Sequence, residues 1–441
     1  MTLLSTIIVG GGPGGLGPLI WAAQEDRLTQ WLDQGVAVVE REERLGGSLG
    51  RYAIHSDSLG GSYLECLEAP LAAGNLRELR ADPVTSEMAR YRMSFPPLEL
   101  VDRYMRRLGS TIAAAIADKP ASALHLNTEG RAIHIQRDGT VAMEVSRADG
   151  RRERLRARTA VVALGGRQSW RQRALLPGLH LGHCALHCFL TSDLLLTRDG
   201  LAEANAILGA SRRRKILIVG GSHSAYAAAQ ALLRLPAAAR LSAGQIVIVQ
   251  RRQPPIFYPD QAAAAEDHYQ VKPGDICPRT GRVNRLGGLR GHGRDLWRQI
   301  TGRPNVTPES RVTVAALQDF SSEKLRNAID EAALVVSCLG YRAATLPVFD
   351  AEGRRLALAA DADRDAVSDD CRLLLADGTC LPQIYGIGLG SGYRPSVCMG
   401  GEPNFDGQAN SLWLYHNDIG AVIYRAIADK SAKRIVAHEL V

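Results

Sequence analysis

Long apolar runs are missing from this 441-residue chain. No stretch of about 18 apolar residues occurs, so nothing reads as a membrane span. No basic segment or cleavage pattern precedes the first apolar strand, so no secretory leader is expected. Aromatic residues make up 5% of the chain, against 44 glycines. That balance disfavours an all-β design and suits α/β units joined by tight turns. The eight cysteines are scattered without framework spacing, which fits reduced thiols in the cytoplasm. His183, Cys184, His187 and Cys188 are close in sequence, but they fall on two faces of a helix with no second ligand group, so no metal site is expected. The net charge is +7 and comes mostly from arginine. Its clusters, Arg151-Arg152 through Arg158 and Arg212-Arg213-Arg214-Lys215, have no interleaved aromatics and so lack a stacking platform for nucleic acid. A basic surface still attracts an anionic cofactor. The length suits two or three domains.

The first twenty residues carry the strongest signal. A short apolar strand, Leu3 to Val9, runs into Gly10-Gly11-Gly12-Pro13-Gly14-Gly15, and a helical pattern follows from Leu16 to Leu32. Gly10, Gly12 and Gly15 give G-x-G-x-x-G where strand hands over to helix. One glycine permits the turn, one lets backbone approach a pyrophosphate, and one lets helix and strand pack closely. The helix N-terminus then offers free N–H groups to the phosphates. The next strand, Val36-Ala37-Val38-Val39, ends at Glu40, about 25 residues on, where such a unit places the acid for a ribose diol. Arg41 follows, and Gly46-Gly47 opens a polar segment to Cys66 that holds His55 and Asp57.

Pro97 to Ala117 has helical spacing, and from Ala123 to Arg158 the period changes to two, with turns at Glu129-Gly130, Asp138-Gly139 and Asp149-Gly150. That is a β-meander. Thr159 to Leu164 is a buried parallel strand ending in Gly165-Gly166.

Residues 211–250 repeat the opening design. Lys215 to Val219 is a strand, Gly220-Gly221-Ser222-His223-Ser224-Ala225 its turn, Tyr226 to Leu235 an alanine-rich helix, and Gln245 to Gln250 the next strand. Ser222 and Ala225 stand in for the second and third glycines. Arg251-Arg252 follows this strand where Glu40 follows the first. A carboxylate suits a free ribose diol, whereas two guanidiniums grip a 2′-phosphate. The first unit is therefore expected to hold FAD and the second NADPH. Residues 253–303, rich in Pro, Gly and Arg, have weak periodicity and read as a lid. Ala333 to Cys338 is a buried strand leading to Gly340 and Tyr341. Gln383 to Gly390, including Gly388, gives another strand and glycine turn before a helix from Ser411 to Ala428 that docks on the first domain.

The expected fold is α/β, with two Rossmann-like three-layer dinucleotide-binding domains and a small β-meander. The FAD domain is 1–170 plus 346–441, and the NADPH domain, 171–345, is inserted in it. Gly10-x-Gly12-Pro13-x-Gly15-Leu16, the turn at 220–225 and Cys338-Leu339-Gly340-Tyr341 resemble the class B flavin-dependent monooxygenases, two-dinucleotide-binding-domain flavoproteins, and come nearest the N-hydroxylating branch. That branch has Gln-Ser-Ala where this chain has His223-Ser224-Ala225, and Ala-Thr-Gly-Tyr where it has Cys338-Leu339-Gly340-Tyr341. The resemblance implies an FAD- and NADPH-dependent monooxygenase that forms a C4a-(hydro)peroxyflavin and oxygenates a small nucleophilic substrate, with N-hydroxylation of an amine or amino acid as the branch's reaction. It implies molecular oxygen and a small molecule as partners, no nucleic acid and no membrane, and is compatible with a homo-oligomer. The histidine–tryptophan fingerprint of the Baeyer–Villiger enzymes and the lysine segment of the ornithine hydroxylases are missing, which argues against ornithine. No cysteine pair follows Gly46-Gly47 and no C-x-x-C lies in the second domain, so disulfide-reductase chemistry lacks its second thiol. Two rivals stand beside the monooxygenase: an NADPH reductase or dehydrogenase without oxygen insertion, and a non-catalytic dinucleotide sensor. His55, Asp57 and His223 are the catalytic candidates, although a flavin supplies its own chemistry and needs no triad.

Overall fold

A computed structural model describes residues 3–72, 74–168, 174–176, 179–180, 188–362 and 364–438. His183, Cys184 and His187 lie outside them; Cys188 is buried at the head of strand Phe189–Thr191.

The opening strand, Leu4–Val9, is central to a nine-stranded sheet. It pairs in parallel with Val36–Val39 on one side and with Arg152–Val162 on the other. All four residues of Val36–Val39 are buried, as expected for a strand covered on both faces. The helix after the turn is Pro13–Gln24. It does not run on to Leu32: Asp26 turns left-handed (φ 54°) and a short second helix, Leu28–Asp33, completes the connection. Helix Leu98–Ala117 carries the expected stripe and buries Leu100, Val101, Met105, Leu108, Ile112 and Ile116. Burial of each contributes about 1.5–3 kcal/mol.

The meander is Thr128–Ile135, Val141–Arg147 and the first half of Arg152–Val162, all antiparallel. Ala123–His125 stands outside it and pairs in parallel with Val36–Val39. Glu129-Gly130 is not a turn. Both residues lie inside a strand, next to a register shift, and the chain bends instead at Asn127 (φ 50°) without reversing. An asparagine tolerates that left-handed conformation, so the bend needed no glycine. The arginines of the meander pair across the strands, Arg154 with Glu144, Arg147 with Glu153 and Arg156 with Asp138.

The second sheet has five parallel strands in the order Phe189–Thr191, Leu334–Ser337, Ile216–Val219, Ile246–Gln250, Val312–Ala316. Helix His223–Leu233 covers it. Where the chain passes between the sheets, Gly166–Arg167 and Arg342–Ala343 pair as a two-stranded antiparallel ribbon. After the second sheet the chain returns to the first, as strand Cys380–Gly386 pairs in parallel with the far side of Arg152–Val162. Helices Leu412–His416 and Asp418–His438 then pack on the opening helix, with Trp21 and Tyr424 at 5.0 Å between ring centres. The expected single helix from Ser411 is broken at Asn417 (φ −118°, ψ −92°).

Segment 253–303 is not irregular throughout. It holds helices Gln261–Glu266 and Gly291–Ile300, and Ile256, Tyr258, Val283, Leu289, Leu296 and Trp297 from it are buried with the second sheet's core. Its apolar residues face a sheet already formed, so their spacing follows loop geometry and no single period marks them.

Candidate functional site

The three glycines of the first turn do different jobs. Gly10 is left-handed (φ 96°) and its N–H bonds the Val39 carbonyl at 2.8 Å, which ties the turn to the second strand. A Cβ on Gly15 would overlap the Gly10 carbonyl oxygen. A Cβ on Gly12 would meet only Gly47 Cα, at 3.9 Å, so the space above Gly12 is open. The helix begins here with no side-chain cap and with Pro13 in its first turn, which leaves the next N–H groups for an anion. Gly14 lies against Gly388, Gly388 against Gly165, and Gly47 against Pro13, while the Gly46 N–H bonds the Gly11 carbonyl at 2.8 Å. Glycines from four separate stretches thus gather at one end of the sheet. Arg41 does not join them; its side chain is 75% exposed and pairs with Glu42.

Glu40 is buried. One carboxylate oxygen accepts the Gly11 N–H at 2.5 Å and the other the Glu42 N–H at 2.9 Å. Each oxygen keeps a lone pair, enough for the two hydroxyls of a ribose. The open space at Gly12 and this free acceptor capacity fit an FAD pyrophosphate and ribose.

Beneath the turn, His416 is buried against the Pro13 backbone, and burial pulls its pKa down from 6.5 to about 4. The folded state therefore excludes a proton that the unfolded chain accepts. The stability this contributes is complete above about pH 6.5 and is lost as pH falls toward 4, at up to about 1.4 kcal/mol per pH unit. Urea midpoints at pH 7, 6 and 5 should fall more steeply for the wild type than for His416→Gln; parallel slopes would contradict the assignment.

The second turn repeats the first with an informative substitution. The Gly220 N–H bonds the Val249 carbonyl at 2.9 Å as the Gly10 N–H bonds Val39. The residue matching Glu40 is therefore Gln250, and Arg251 and Arg252 match Arg41 and Glu42. The sequence expectation set the arginines one position early, because the end of the strand is fixed by this bond and not by composition. Gln250 is buried, lies against Gly221, and its Oε1 has no partner. A neutral amide there removes the charge that repels a 2′-phosphate. Arg251 is exposed with no partner among the described residues. Arg252 forms two hydrogen bonds of 2.5 Å to Asp406. Ser222 caps no N–H and stays exposed, Ser224 is half-buried, and Ala225 is fully buried where close packing needs a small residue.

Of the three catalytic candidates the structure brings two together, Asp57 of the first unit and His223 of the second. His223 Nε2 lies 3.9 Å from Asp57 Oδ2. Burial lowers the His223 pKa, with Asp57 opposing and Arg290 reinforcing the shift. Its Nε2 is buried and has no hydrogen-bond partner. His55 sits edge-on to His292, with ring centres 4.8 Å apart, and its pKa is lowered by burial and by His292. Tyr341 is placed differently. Its hydroxyl bonds Asp193 at 3.3 Å, and Arg51 and Tyr52 of the first unit bond the same carboxylate. Burial and Asp193 push the Tyr52 hydroxyl up to about 12. Gly340 beside it is left-handed (φ 80°) with open space where a Cβ would stand. Asp193 carried no signal in the sequence, since a single acid in the first turn of a helix is ordinary. Gln250 was legible once Val39 and Val249 are set in register.

The chain matches the pyridine nucleotide-disulphide oxidoreductase family over residues 4–274. It is 34% identical over 449 residues to a CMP-5′-(3-aminopropyl)phosphonate hydroxylase of Streptomyces rubellomurinus, covering 97% of this chain and 98% of that one. The chain belongs to this oxidoreductase family. In fold it is similar to the ornithine N-hydroxylase of Kutzneria sp. 744, solved with reduced FAD, NADP+ and L-ornithine (TM-score 0.54, 15% identity, 97% of this chain and 100% of that one). It is likewise similar to a cadaverine monooxygenase of Erwinia amylovora bound to FAD (TM-score 0.55, 13% identity, 97% and 95%). No helix among the described residues is long and apolar enough to cross a membrane.

Proposed function

We infer that the chain is an FAD- and NADPH-dependent monooxygenase that hydroxylates the amine nitrogen of a nucleotide-linked aminoalkylphosphonate, or a close analogue, in the cytoplasm. The observation that carries this reading is the end-to-end likeness to the aminopropylphosphonate hydroxylase. In this reading residues 1–170 and 346–441 are the FAD domain and 171–345 the NADPH domain.

Gly10, Gly12, Gly14, Gly15 and Glu40 would hold FAD, and Ser222, Gln250 and Arg251 would hold NADPH. Bound flavin supplies the acceptance of hydride from NADPH and the activation of oxygen. The chain's own residues position, dry and protonate. His223, its pKa lowered by burial, presents an unpartnered Nε2 that can give or take one hydrogen bond in the cleft. Asp57, facing it, steadies the ring. Segment 253–303 walls the cleft: Asn404 donates to Asp275 at 2.8 Å, and Glu402 accepts the backbone N–H groups of Arg285 and Leu286. The wall excludes water, which keeps these hydrogen bonds strong.

With NADPH, oxygen-18 gas and CMP-5′-(3-aminopropyl)phosphonate, the expected product is the N-hydroxy compound with one labelled oxygen, formed in near-equal amount to NADPH consumed. NADPH consumption that yields only hydrogen peroxide with every amine tried would sink this reading and favour a reductase.

A further inference from the structure

Three arginines in or beside segment 253–303 are matched: Arg252 with Asp406, Arg279 with Asp418 and Arg298 with Asp267. Arg303 donates to the Asp267 and His268 carbonyls and lies over the Trp297 ring. Arg282, Arg285, Arg290 and Arg294 likewise have no carboxylate within ion-pair distance among the described residues. Arg285 is 8% exposed and its Nε has no partner, although Nη2 donates to the Met399 carbonyl at 3.3 Å. Arg290 donates to the Arg285 carbonyl and lies over the Phe257 ring at 4.2 Å. Its pKa is lowered by burial, and the charges of Arg282 and Arg285 add to the lowering, opposed by Asp57 and Glu402. Glu402 is itself buried, its carboxyl pushed toward the neutral form by burial, and occupied by two backbone N–H groups. Three guanidiniums therefore share one region with one half-exposed carboxylate and one masked one. A buried guanidinium with no carboxylate partner, such as Arg285, is costly without an anion, and the exposed Arg282 adds its charge nearby.

The geometry points to an oxyanion subsite formed by Arg282, Arg285 and Arg290, which grips the phosphorus oxyanion of the substrate and so holds its amine in the cleft. The subsite deepens the proposed function and rests on it for the identity of the substrate. Two observations support it. The Arg285 guanidinium is turned toward the loop at Met399–Glu402, where Nη2 donates to the Met399 carbonyl, and Arg290 lies near enough to His223 to act on its charge. Helix Gly291–Ile300, which follows Arg290 directly, also starts without a side-chain cap, which leaves its first N–H groups free of a side-chain acceptor beside Arg290. Guanidinium forks match tetrahedral phosphorus oxyanions two bonds at a time.

The test uses FAD-loaded enzyme, with Arg290→Gln, Arg290→Lys and the exposed Arg282→Gln. Calorimetry with CMP, 3-aminopropylphosphonate and inorganic phosphate reads the subsite without turnover, and its three arms distinguish a nucleotide phosphate from a phosphonate. The expected result is affinity for CMP or the phosphonate reduced at least tenfold in Arg290→Gln, partly restored in Arg290→Lys, and reduced less in Arg282→Gln. Flavin content and the KM for NADPH should stay within about twofold of wild type. Unchanged anion affinity in both glutamine variants would overturn the subsite, as would a loss that appears in the NADPH KM instead. If binding depends on the arginines but no amine is hydroxylated, the subsite stands and the proposed reaction fails. If hydroxylation proceeds at unchanged KM in both glutamine variants, the reaction stands and the subsite fails.

Discussion

Gly12→Val should purify as a folded but colourless protein. Its side chain would enter the open space above the turn, where only Gly47 Cα stands nearby, so nothing in the protein resists it. What it displaces is the pyrophosphate. The expected outcome is flavin absorbance near zero, a far-ultraviolet spectrum like that of wild-type apoprotein, and a Tm equal to the apoprotein's. Gly15→Val provides the contrast. Its side chain would collide with the Gly10 carbonyl, which cannot move without breaking the bond from Gly10 N–H to Val39. A backbone overlap of this kind costs at least several kcal/mol, against a typical total stability of about 5–15 kcal/mol, so little soluble protein is expected. A yellow Gly12→Val with full flavin content would remove the first turn as the FAD site.

The second large effect concerns the reducing cofactor. Gln250→Glu would place a carboxylate where Glu40 stands in the first unit, against Gly221 and next to Arg251. A carboxylate repels a 2′-phosphate and accepts a ribose diol, so the preference should shift toward NADH. The KM for NADPH should rise at least tenfold, about 1.4 kcal/mol, while that for NADH falls. Arg251→Ala should raise the NADPH KM comparably and leave NADH unchanged. Arg252→Ala should do less, since its guanidinium is held by Asp406. Steady-state kinetics with both nucleotides decides this. An equal change for both in Gln250→Glu would show that the residue does not read the 2′ position.

The two turns, the buried strands and the return of the C-terminal helix to the first unit were legible because each rests on short-range rules. Glycine spacing, four-residue apolar runs and a helical stripe report on themselves. The residues that complete the site do not. Arg285 and Arg290 look in sequence like part of a polar loop, and their importance comes from Met399, Glu402 and Asp57, more than a hundred residues away along the chain in each case. The pairing of Arg252 with Asp406 is invisible for the same reason. His55, Asp57 and His223 were legible as candidates by residue type, while the meeting of Asp57 with His223 and of His55 with His292 depended on how the two units face each other. The shift from Arg251 to Gln250 shows a finer limit: a strand's last residue is set by one backbone bond, and composition locates it only to within a residue.

The order of strands also bears on how the protein is made. The second sheet is drawn entirely from residues 189–337, so it can close while the ribosome is still adding the remainder. The first sheet cannot be completed until Cys380–Gly386 has been synthesised, and one face of its opening helix remains uncovered until Leu412–His416 and Asp418–His438 emerge. The chain's first-made segment is therefore its last to be finished. Until then the apolar face of Pro13–Gln24 is a natural site for a chaperone.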